Sequence, residues 1–237
     1  MTIATQRLTL DEYLTYDDGS DRRYELVKGE LQPMALGTGK HGAIIKRLEK
    51  LFDGQIELAQ QPWIALATAV GLQSPRIDRW DTVRIPDLSV LTLEQWDSLQ
   101  SREAVIRLNE PPPLLVVEVV SESTKSTDYR AKRVFEKGCP RYSLPPRDSK
   151  TLSFEDISLR PRYNLRRSWA FQAPSKRAEY SVLDISEYWI VDPLLNQVTI
   201  CTLLEGWYEA TVYKGQDAIA SPVFSAIALT AKNILQG

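Results

Sequence analysis

Two acidic residues interrupt stretches that otherwise have the composition of β-strands, and they are the strongest candidates for chemistry in this chain. Glu118 lies within the apolar run 114–120, and Asp87 lies within the β-branched run 83–91. A carboxylate in an apolar strand is costly unless it pairs with a cation or binds a metal ion. Hard divalent cations prefer clustered carboxylate oxygens, so two acids ending adjacent strands predict a Mg²⁺ or Mn²⁺ site. The alternative is that Glu118 pairs with a lysine or arginine and has no further role.

The rare residues exclude other kinds of site. The chain has one histidine, His41, and two cysteines, Cys139 and Cys201. One histidine excludes two-histidine metal motifs, and two cysteines exclude both a disulfide framework and a four-cysteine zinc site. We therefore expect a reduced, cytoplasmic protein. We expect His41 to open a helix and to lie on the solvated surface, with contact to a substrate phosphate as the alternative.

Length and composition predict a folded domain that does not interact with membranes. The 237 residues suit a single domain, and 43% hydrophobic with 25% charged residues is close to the globular average. No run approaches the roughly 20 apolar residues of a membrane span. With 29 basic and 31 acidic residues the net charge is −2, which excludes a uniformly basic nucleic-acid binder.

Helices and strands are predicted on both sides of the two acids, without an internal repeat. Thr9 and Glu12 have the spacing of a capping box, and apolar residues from His41 to Phe52 recur at helical spacing. The remaining predicted elements are hairpins centred on 28–29 and 205–206, an extended segment 62–70, and strands within 83–91, 114–120 and 187–193.

The segment 134–177 differs in composition from the rest of the chain. It holds five of the 14 prolines, and its 10 basic and 4 acidic residues give a net charge of +6. The other 193 residues carry 19 basic and 27 acidic residues, a net charge of −8. No helical or alternating pattern persists within it, so we predict an irregular basic insertion in a single domain that spans 1–237.

Five stretches occur in an order that resembles one family. They are 24–31 (Tyr-Glu-Leu-Val-Lys-Gly-Glu-Leu), 84–90 (Arg-Ile-Pro-Asp-Leu-Ser-Val), 116–124 (Val-Val-Glu-Val-Val-Ser-Glu-Ser-Thr), the segment from Asp128, and 187–193 (Glu-Tyr-Trp-Ile-Val-Asp-Pro). In this order they resemble the Uma2 (DUF820) family of the PD-(D/E)XK restriction-endonuclease-like superfamily. The resemblance implies an α/β fold of restriction-endonuclease type, with a central mixed β-sheet flanked by helices.

The same resemblance implies roles for individual residues. Asp87 matches the metal-binding aspartate of the family, Glu118 the acid of the (D/E)XK half-motif, and Glu25 an acid often placed beside the metal. The implied cofactor is Mg²⁺ or Mn²⁺, which would polarise the scissile phosphate and lower the pKa of an attacking water. A lysine would orient that water or offset the negative charge on the phosphate.

The position of that lysine departs from the strict motif. Val120 stands where the motif has lysine, and the family lysine instead lies on the following helix, four residues before a tyrosine. Lys132 begins that pattern, but its continuation reappears only at Ala178-Glu179-Tyr180, and a second Lys-Arg pair precedes it at Lys176. Joining Lys132-Arg133 to Ala178 restores the spacing, which favours an in-frame insertion over a chance repeat. We predict Lys132 as the active-site lysine, with Lys176 as the alternative.

Three functional hypotheses follow. The first is a Mg²⁺-dependent DNA endonuclease in which Glu25, Asp87 and Glu118 hold the metal and Lys132 assists the water. The second is a catalytically degenerate relative, whose active-site helix is broken by the insertion and which at most binds nucleic acid. The third is a metal-dependent phosphodiesterase with a substrate other than DNA. An enzyme that cuts both strands is expected to act as a homodimer, because two sites need two chains.

Overall fold

A computed structural model describes residues 7–20, 22–77, 79–121 and 176–236 of the chain. The helices are α1 (Leu10–Leu14), α2 (Gly39–Leu58), α3 (Leu93–Leu99), α4 (Lys176–Val182) and α5 (Ala231–Leu235). The strands are β1 (Tyr24–Val27), β2 (Glu30–Pro33), β3 (Trp63–Ala67), β4 (Gly71–Ile77), β5 (Trp80–Arg84), β6 (Leu88–Thr92), β7 (Val105–Ile106), β8 (Leu115–Val119), β9 (Glu187–Asp192), β10 (Gln197–Leu204) and β11 (Trp207–Lys214). Within the described residues, no helix is long and apolar enough to cross a membrane.

The strands form two mixed sheets. The first has the order β2-β1-β5-β4-β7, in which only the β4–β7 pair is parallel. The second has the order β11-β10-β9-β8-β6-β3, in which only the β8–β9 pair is parallel. The predicted α/β fold with mixed sheet and flanking helices is confirmed, with the strands divided between these two sheets.

The division falls at Pro86, inside the run 83–91 that the sequence predicts as strand. Proline has no backbone N–H and fits poorly inside a ladder, so the strand stops at Arg84 and resumes at Leu88. β5 then belongs to the first sheet and β6 to the second. The short link 85–87 therefore carries Asp87 from one sheet to the other.

Both faces of the six-stranded sheet are buried. One face of β8, with Leu115, Val117 and Val119, packs against α2 residues such as Leu48 and Phe52. Across the sheet, the opposite face contributes to a second core. That core contains Val116 of β8, Val120 directly after it, Tyr180 of α4, Leu99 of α3 and Leu72 of the first sheet. Glu118 lies on this second face, since side chains alternate along a strand.

Local sequence signals explain how the elements beside the site begin. Thr9 accepts a hydrogen bond from the backbone N–H of Glu12 and completes the predicted capping box of α1. Thr38 caps α2, so that this helix starts at Gly39, before the predicted position 41. In the β1–β2 hairpin, Lys28 and Gly29 both adopt positive φ, as a tight primed turn requires.

Candidate active site

A cleft of about 500 Å³ lies between elements of both sheets. Its lining includes Glu25 of β1, Asp87 of the 85–87 link, Glu118 of β8, Lys176 of α4 and His41 near the start of α2. The three acids predicted from the sequence therefore line one cleft, together with one of the two candidate lysines. Lys132, the lysine favoured from the sequence, lies outside the described residues.

Glu118 is held by two side chains from α4. Its Oε2 accepts a hydrogen bond of 2.8 Å from the Lys176 ammonium, and its Oε1 accepts one of 2.7 Å from the Tyr180 hydroxyl. All three residues are buried, with exposed fractions of 7% or less. This ion pair is the buried pairing that a carboxylate inside an apolar strand requires.

Helical periodicity explains why α4 supplies both donors. Lys176 and Tyr180 are four residues apart, so they project from the same face of the helix toward β8. Glu179 is adjacent to that face and points toward the first sheet, where its carboxylate pairs with Arg84. One short helix thus bridges the two sheets with three polar side chains.

Tyr180 donates to Glu118 as a neutral phenol. Complete burial, reinforced by the negative charge of Glu118, raises the pKa of Tyr180 well above its usual value. A neutral hydroxyl donates one hydrogen bond and adds no charge to the site. Tyr180 therefore fixes the orientation of the carboxylate without competing with Lys176 for its negative charge.

Asp87 is joined to the same strand through the backbone. Its Oδ2 accepts a hydrogen bond of 2.7 Å from the N–H of Val119, the residue after Glu118. The His41 Nε2 lies 3.4 Å from the same oxygen, and both side chains are only about one-sixth exposed. The prediction that His41 lies on the solvated surface is wrong, because the first turn of α2 faces the cleft and directs the imidazole toward Asp87.

Glu25 takes part in a buried network with Arg84. Its Oε2 accepts a 3.1 Å hydrogen bond from Arg84, and its Oε1 accepts one of 3.0 Å from the Ile85 N–H. Arg84 also donates to both oxygens of Glu179, at 2.8 and 3.0 Å. Burial acts to lower the pKa of Arg84, but the hydrogen bonds and charge of Glu179, with Glu25, outweigh it and raise that pKa.

Arg84 and Glu179 are absent from the site predicted from the sequence. A signal was available, because Arg84 lies within the β-branched run 83–91 and a charge buried in such a run usually requires a counter-ion. Nothing in the sequence pairs it with Glu179, which lies 95 positions further along the chain. The contact depends on the packing of α4 against β5.

The donor set fits a hard divalent cation held by two carboxylates. No group of three or more His, Cys, Asp or Glu side chains among the described residues is arranged to hold a metal. Asp87 and Glu118 nevertheless line the same cleft, and Asp87 accepts a hydrogen bond from the N–H of the residue after Glu118. Mg²⁺ is commonly bound by one or two carboxylates with waters and phosphate oxygens. Both oxygens of Glu25 accept hydrogen bonds, from Arg84 and from the Ile85 N–H. Both oxygens of Glu118 are likewise engaged, so a metal ion there would share an oxygen that also accepts from Lys176 or Tyr180.

The net charge of the cleft also favours a bound cation. The carboxylates that line the cleft are Glu25, Asp87 and Glu118, and the lysines that line it are Lys40 and Lys176. When these five groups are ionised and His41 is neutral, they carry a net charge of −1. Excess negative charge in a partly buried site favours the binding of a cation.

The fold and the cleft define a class of protein. Mixed sheets flanked by helices, with acids from both sheets beside a helix-borne lysine, belong to the restriction-endonuclease-like class. The chain itself belongs to the Uma2 family, whose description is "Putative restriction endonuclease". The family profile matches residues 10–154 and 161–232. The match extends into the segment 134–177, so the bounds of the predicted insertion stay a prediction.

One solved structure supports the same fold. The chain is similar to a "putative nuclease belonging to DUF820" from Anabaena variabilis ATCC 29413, with a TM-score of 0.57 and 16% sequence identity. The alignment covers 97% of this chain and 98% of that one. No curated protein matches the chain.

Proposed function

We propose that this protein is a metal-dependent endonuclease that hydrolyses phosphodiester bonds in DNA. The observation that carries the proposal is the convergence of Asp87, Glu118 and Lys176 in one cleft of a Uma2-family fold. Bound Mg²⁺ or Mn²⁺ would polarise the phosphate and lower the pKa of the attacking water. The compartment we propose is the cytoplasm, as expected from the low cysteine content.

Each residue of the cleft has its own role in the proposed reaction. Asp87 and Glu118 supply the carboxylate oxygens for the metal, and the Val119 N–H holds Asp87 in orientation. Lys176 presents its ammonium to the same place, where it stabilises negative charge on the phosphate as the attacking water adds. Water adds to phosphorus, one P–O ester bond breaks, and the leaving oxygen takes a proton, which gives an alcohol and a phosphate monoester.

We assign the lysine role to Lys176 because its ammonium lies 2.8 Å from Glu118 and 4.0 Å from Glu25. This arrangement favours an active enzyme over the degenerate relative, because Lys176, at the end of the predicted insertion, and Tyr180, just after it, both reach Glu118. The formation of α4 from Lys176 onward supplies both the ammonium and the Tyr180 hydroxyl.

Cleavage of supercoiled plasmid tests the proposal. We expect nicked and linear products with Mg²⁺ or Mn²⁺, none with EDTA, and a loss of at least about 10³-fold in Asp87→Asn. Single-stranded DNA, RNA and a small aryl phosphodiester are tested in parallel. Hydrolysis of the small diester alone would favour the phosphodiesterase hypothesis, and no hydrolysis of any substrate would favour the degenerate one.

A deletion variant tests whether Lys132 or Lys176 is the active-site lysine. Removing residues 134–177 joins Lys132-Arg133 to Ala178 and recreates the local sequence of α4. In the full chain we expect Lys176→Met to lower the cleavage rate about 10³-fold, to a residual rate that single-turnover kinetics still measure, and Lys132→Met to leave the rate within about twofold. In the deletion variant, Lys132→Met should abolish cleavage. Loss of cleavage in Lys132→Met of the full chain would contradict the assignment to Lys176.

A homodimer is part of the proposal for cleavage of both strands. Sedimentation of the free protein and of its complex with a short duplex in Ca²⁺ tests it. A monomer in both states, together with nicked circles as the only product, would contradict the dimer.

A further inference from the structure

We propose that Arg84 is a positioning residue that sets the place of Lys176 beside Glu118, and that Glu25 serves this arrangement as a counter-ion. The inference rests on the proposed function for its meaning in catalysis, and it adds two residues to the working parts of that site. Neither the metal nor the substrate contacts Arg84 in this proposal.

Arg84 connects three of the segments that line the cleft. It is 4% exposed and ends β5, directly before the link that carries Asp87. Two of its nitrogens donate to Glu179 of α4 in a bidentate pair, and a third donates to Glu25 of β1. The rigid fork of guanidinium fixes the direction of both partners, which a lysine does not do.

The bidentate pair fixes the helix that carries Lys176. Glu179 lies one residue before Tyr180 and three after Lys176, so anchoring Glu179 sets the rotation of the whole turn. Ser74 of β4 adds a 3.3 Å hydrogen bond to the same carboxylate. With α4 fixed in this rotation, Lys176 and Tyr180 both reach Glu118.

Glu25 is placed as a second acceptor for Lys176. The Lys176 ammonium is 2.8 Å from Glu118 Oε2 and 4.0 Å from Glu25 Oε1. Arg84 and the Ile85 N–H hold Glu25 at this distance. Without Arg84, the charges of Glu25 and Glu179 would lose their main partner, and Lys176 would be drawn from Glu118 toward Glu25.

Acylation of lysines with acetic anhydride, followed by peptide mass spectrometry, tests the arrangement without any assay of activity. Lys46, whose side chain is 79% exposed, is the internal reference. We expect Lys176 to react at least about fivefold faster, relative to Lys46, in Arg84→Lys and in Glu179→Gln. The matched control is Arg102→Lys, which alters a partly exposed ion pair with Glu110 outside the hydrogen bonds of Arg84 and should leave Lys176 unchanged.

Kinetics test whether Arg84 acts through Lys176. Arg84→Lys should lower the single-turnover cleavage rate by about 10- to 100-fold. In a Lys176→Met background, the same change should have less than about a twofold further effect, because the residue it positions is gone. A purely structural role would give losses that multiply in the double variant, and that result would overturn the inference.

The two readouts separate this inference from the proposed function. If the wild-type protein cuts no DNA, the endonuclease proposal fails and the acylation experiment still decides the role of Arg84. Unchanged reactivity of Lys176 in both Arg84→Lys and Glu179→Gln would overturn the inference even in an active nuclease. Should Arg84→Lys unfold, as circular dichroism would show, Glu179→Gln replaces it in both experiments.

Discussion

Two buried glutamates occupy adjacent parallel strands of the same sheet and have opposite surroundings. Glu118 of β8 faces the core that contains Tyr180, pairs with the ammonium of Lys176 and lines the cleft. Glu187 of β9 pairs with Leu115 of β8 and therefore points to the same face of the sheet as Leu115. Because side chains alternate along a strand, this is the face opposite to that of Glu118, packed against α2. Glu187 accepts hydrogen bonds from the Trp189 indole, the Ser221 hydroxyl and the Val223 N–H, all of which are neutral.

The difference shows what turns a buried carboxylate into a candidate site. Both glutamates lie in stretches that match the family order, and both are inaccessible or nearly so. Glu187 joins the loop at 221–223 to the sheet and is not among the residues that line the cleft. Glu118 has a charged partner in Lys176, a second acid on the neighbouring link and open volume beside it. Burial alone therefore does not distinguish the structural acid from the chemical one.

The largest expected effect is the contrast in cleavage between Glu118→Gln and Glu187→Gln. We expect Glu118→Gln to lose at least about 10³-fold in rate, since it removes a metal-binding carboxylate and the partner of Lys176. Glu187→Gln should keep the wild-type rate within about twofold, measured well below its melting temperature. Plasmid cleavage under matched Mg²⁺ gives both rates. Equal losses of rate in the two variants would show that both glutamates affect cleavage only through the stability of the fold.

A second prediction concerns the stability contributed by the ion pair at Glu118. Breaking a buried pair leaves one charge uncompensated, so Glu118→Gln and Lys176→Met should each cost about 3–5 kcal/mol of unfolding free energy. The double variant should recover most of that cost. Urea unfolding of wild type, the two single variants and the double variant gives the interaction free energy of the pair. Additive costs would show that Lys176 and Glu118 do not interact in solution.

Glu187→Gln is the matched control for that cycle. Its amide has one oxygen in place of two, so either Trp189 or Val223 loses its acceptor, at a cost of about 1–3 kcal/mol. Combined with Lys176→Met, this cost should simply add, because the two sites lie on opposite faces of the sheet. Recovery of stability in that double variant would show that Lys176 also interacts with Glu187, and would contradict the separation of the two glutamates.

The sequence indicates the two cleft acids Glu118 and Asp87 because their signal is local. Glu118 interrupts an apolar strand, and Asp87 follows a proline that stops one, so composition alone indicates both. The lysine is harder, since two Lys-Arg pairs offer equivalent local patterns and only packing distinguishes them. His41 and Arg84 are harder still. Their partners lie 46 and 95 positions away, at contacts that depend on how α2 and α4 are placed on the sheets.

A third, smaller prediction compares the hydroxyl donors of the two glutamates. Tyr180→Phe removes the 2.7 Å hydrogen bond to Glu118, and Ser221→Ala removes the 3.0 Å hydrogen bond to Glu187. Each should cost about 1 kcal/mol of stability. Only Tyr180→Phe should slow cleavage, by about tenfold, because it frees the carboxylate to rotate away from Lys176. Slower cleavage in Ser221→Ala would link the two faces of the sheet and contradict the separation.

The smallest expected effect is a dependence of stability on pH that comes from Glu187. Burial raises the pKa of Glu187 above its ordinary value of 4.5, although its hydrogen bonds from Val223, Trp189 and Ser221 act to lower that pKa. The folded state therefore holds this proton to higher pH than the unfolded state. The stability that this group contributes is fully present below about pH 4.5 and is lost as the pH rises through the folded value.

Urea unfolding of wild type and Glu187→Gln over this pH range measures the effect. The glutamine does not titrate, so the stability advantage of wild type over Glu187→Gln should shrink as the pH rises, and then level off. The Ser221→Ala variant, which removes a hydrogen bond that lowers this pKa, should extend the decline to higher pH. An advantage that grows with pH would mean that the neutral donors stabilise the ionised form more than burial penalises it. In that case Glu187, like Glu118, would be a buried carboxylate whose partners stabilise its ionised form.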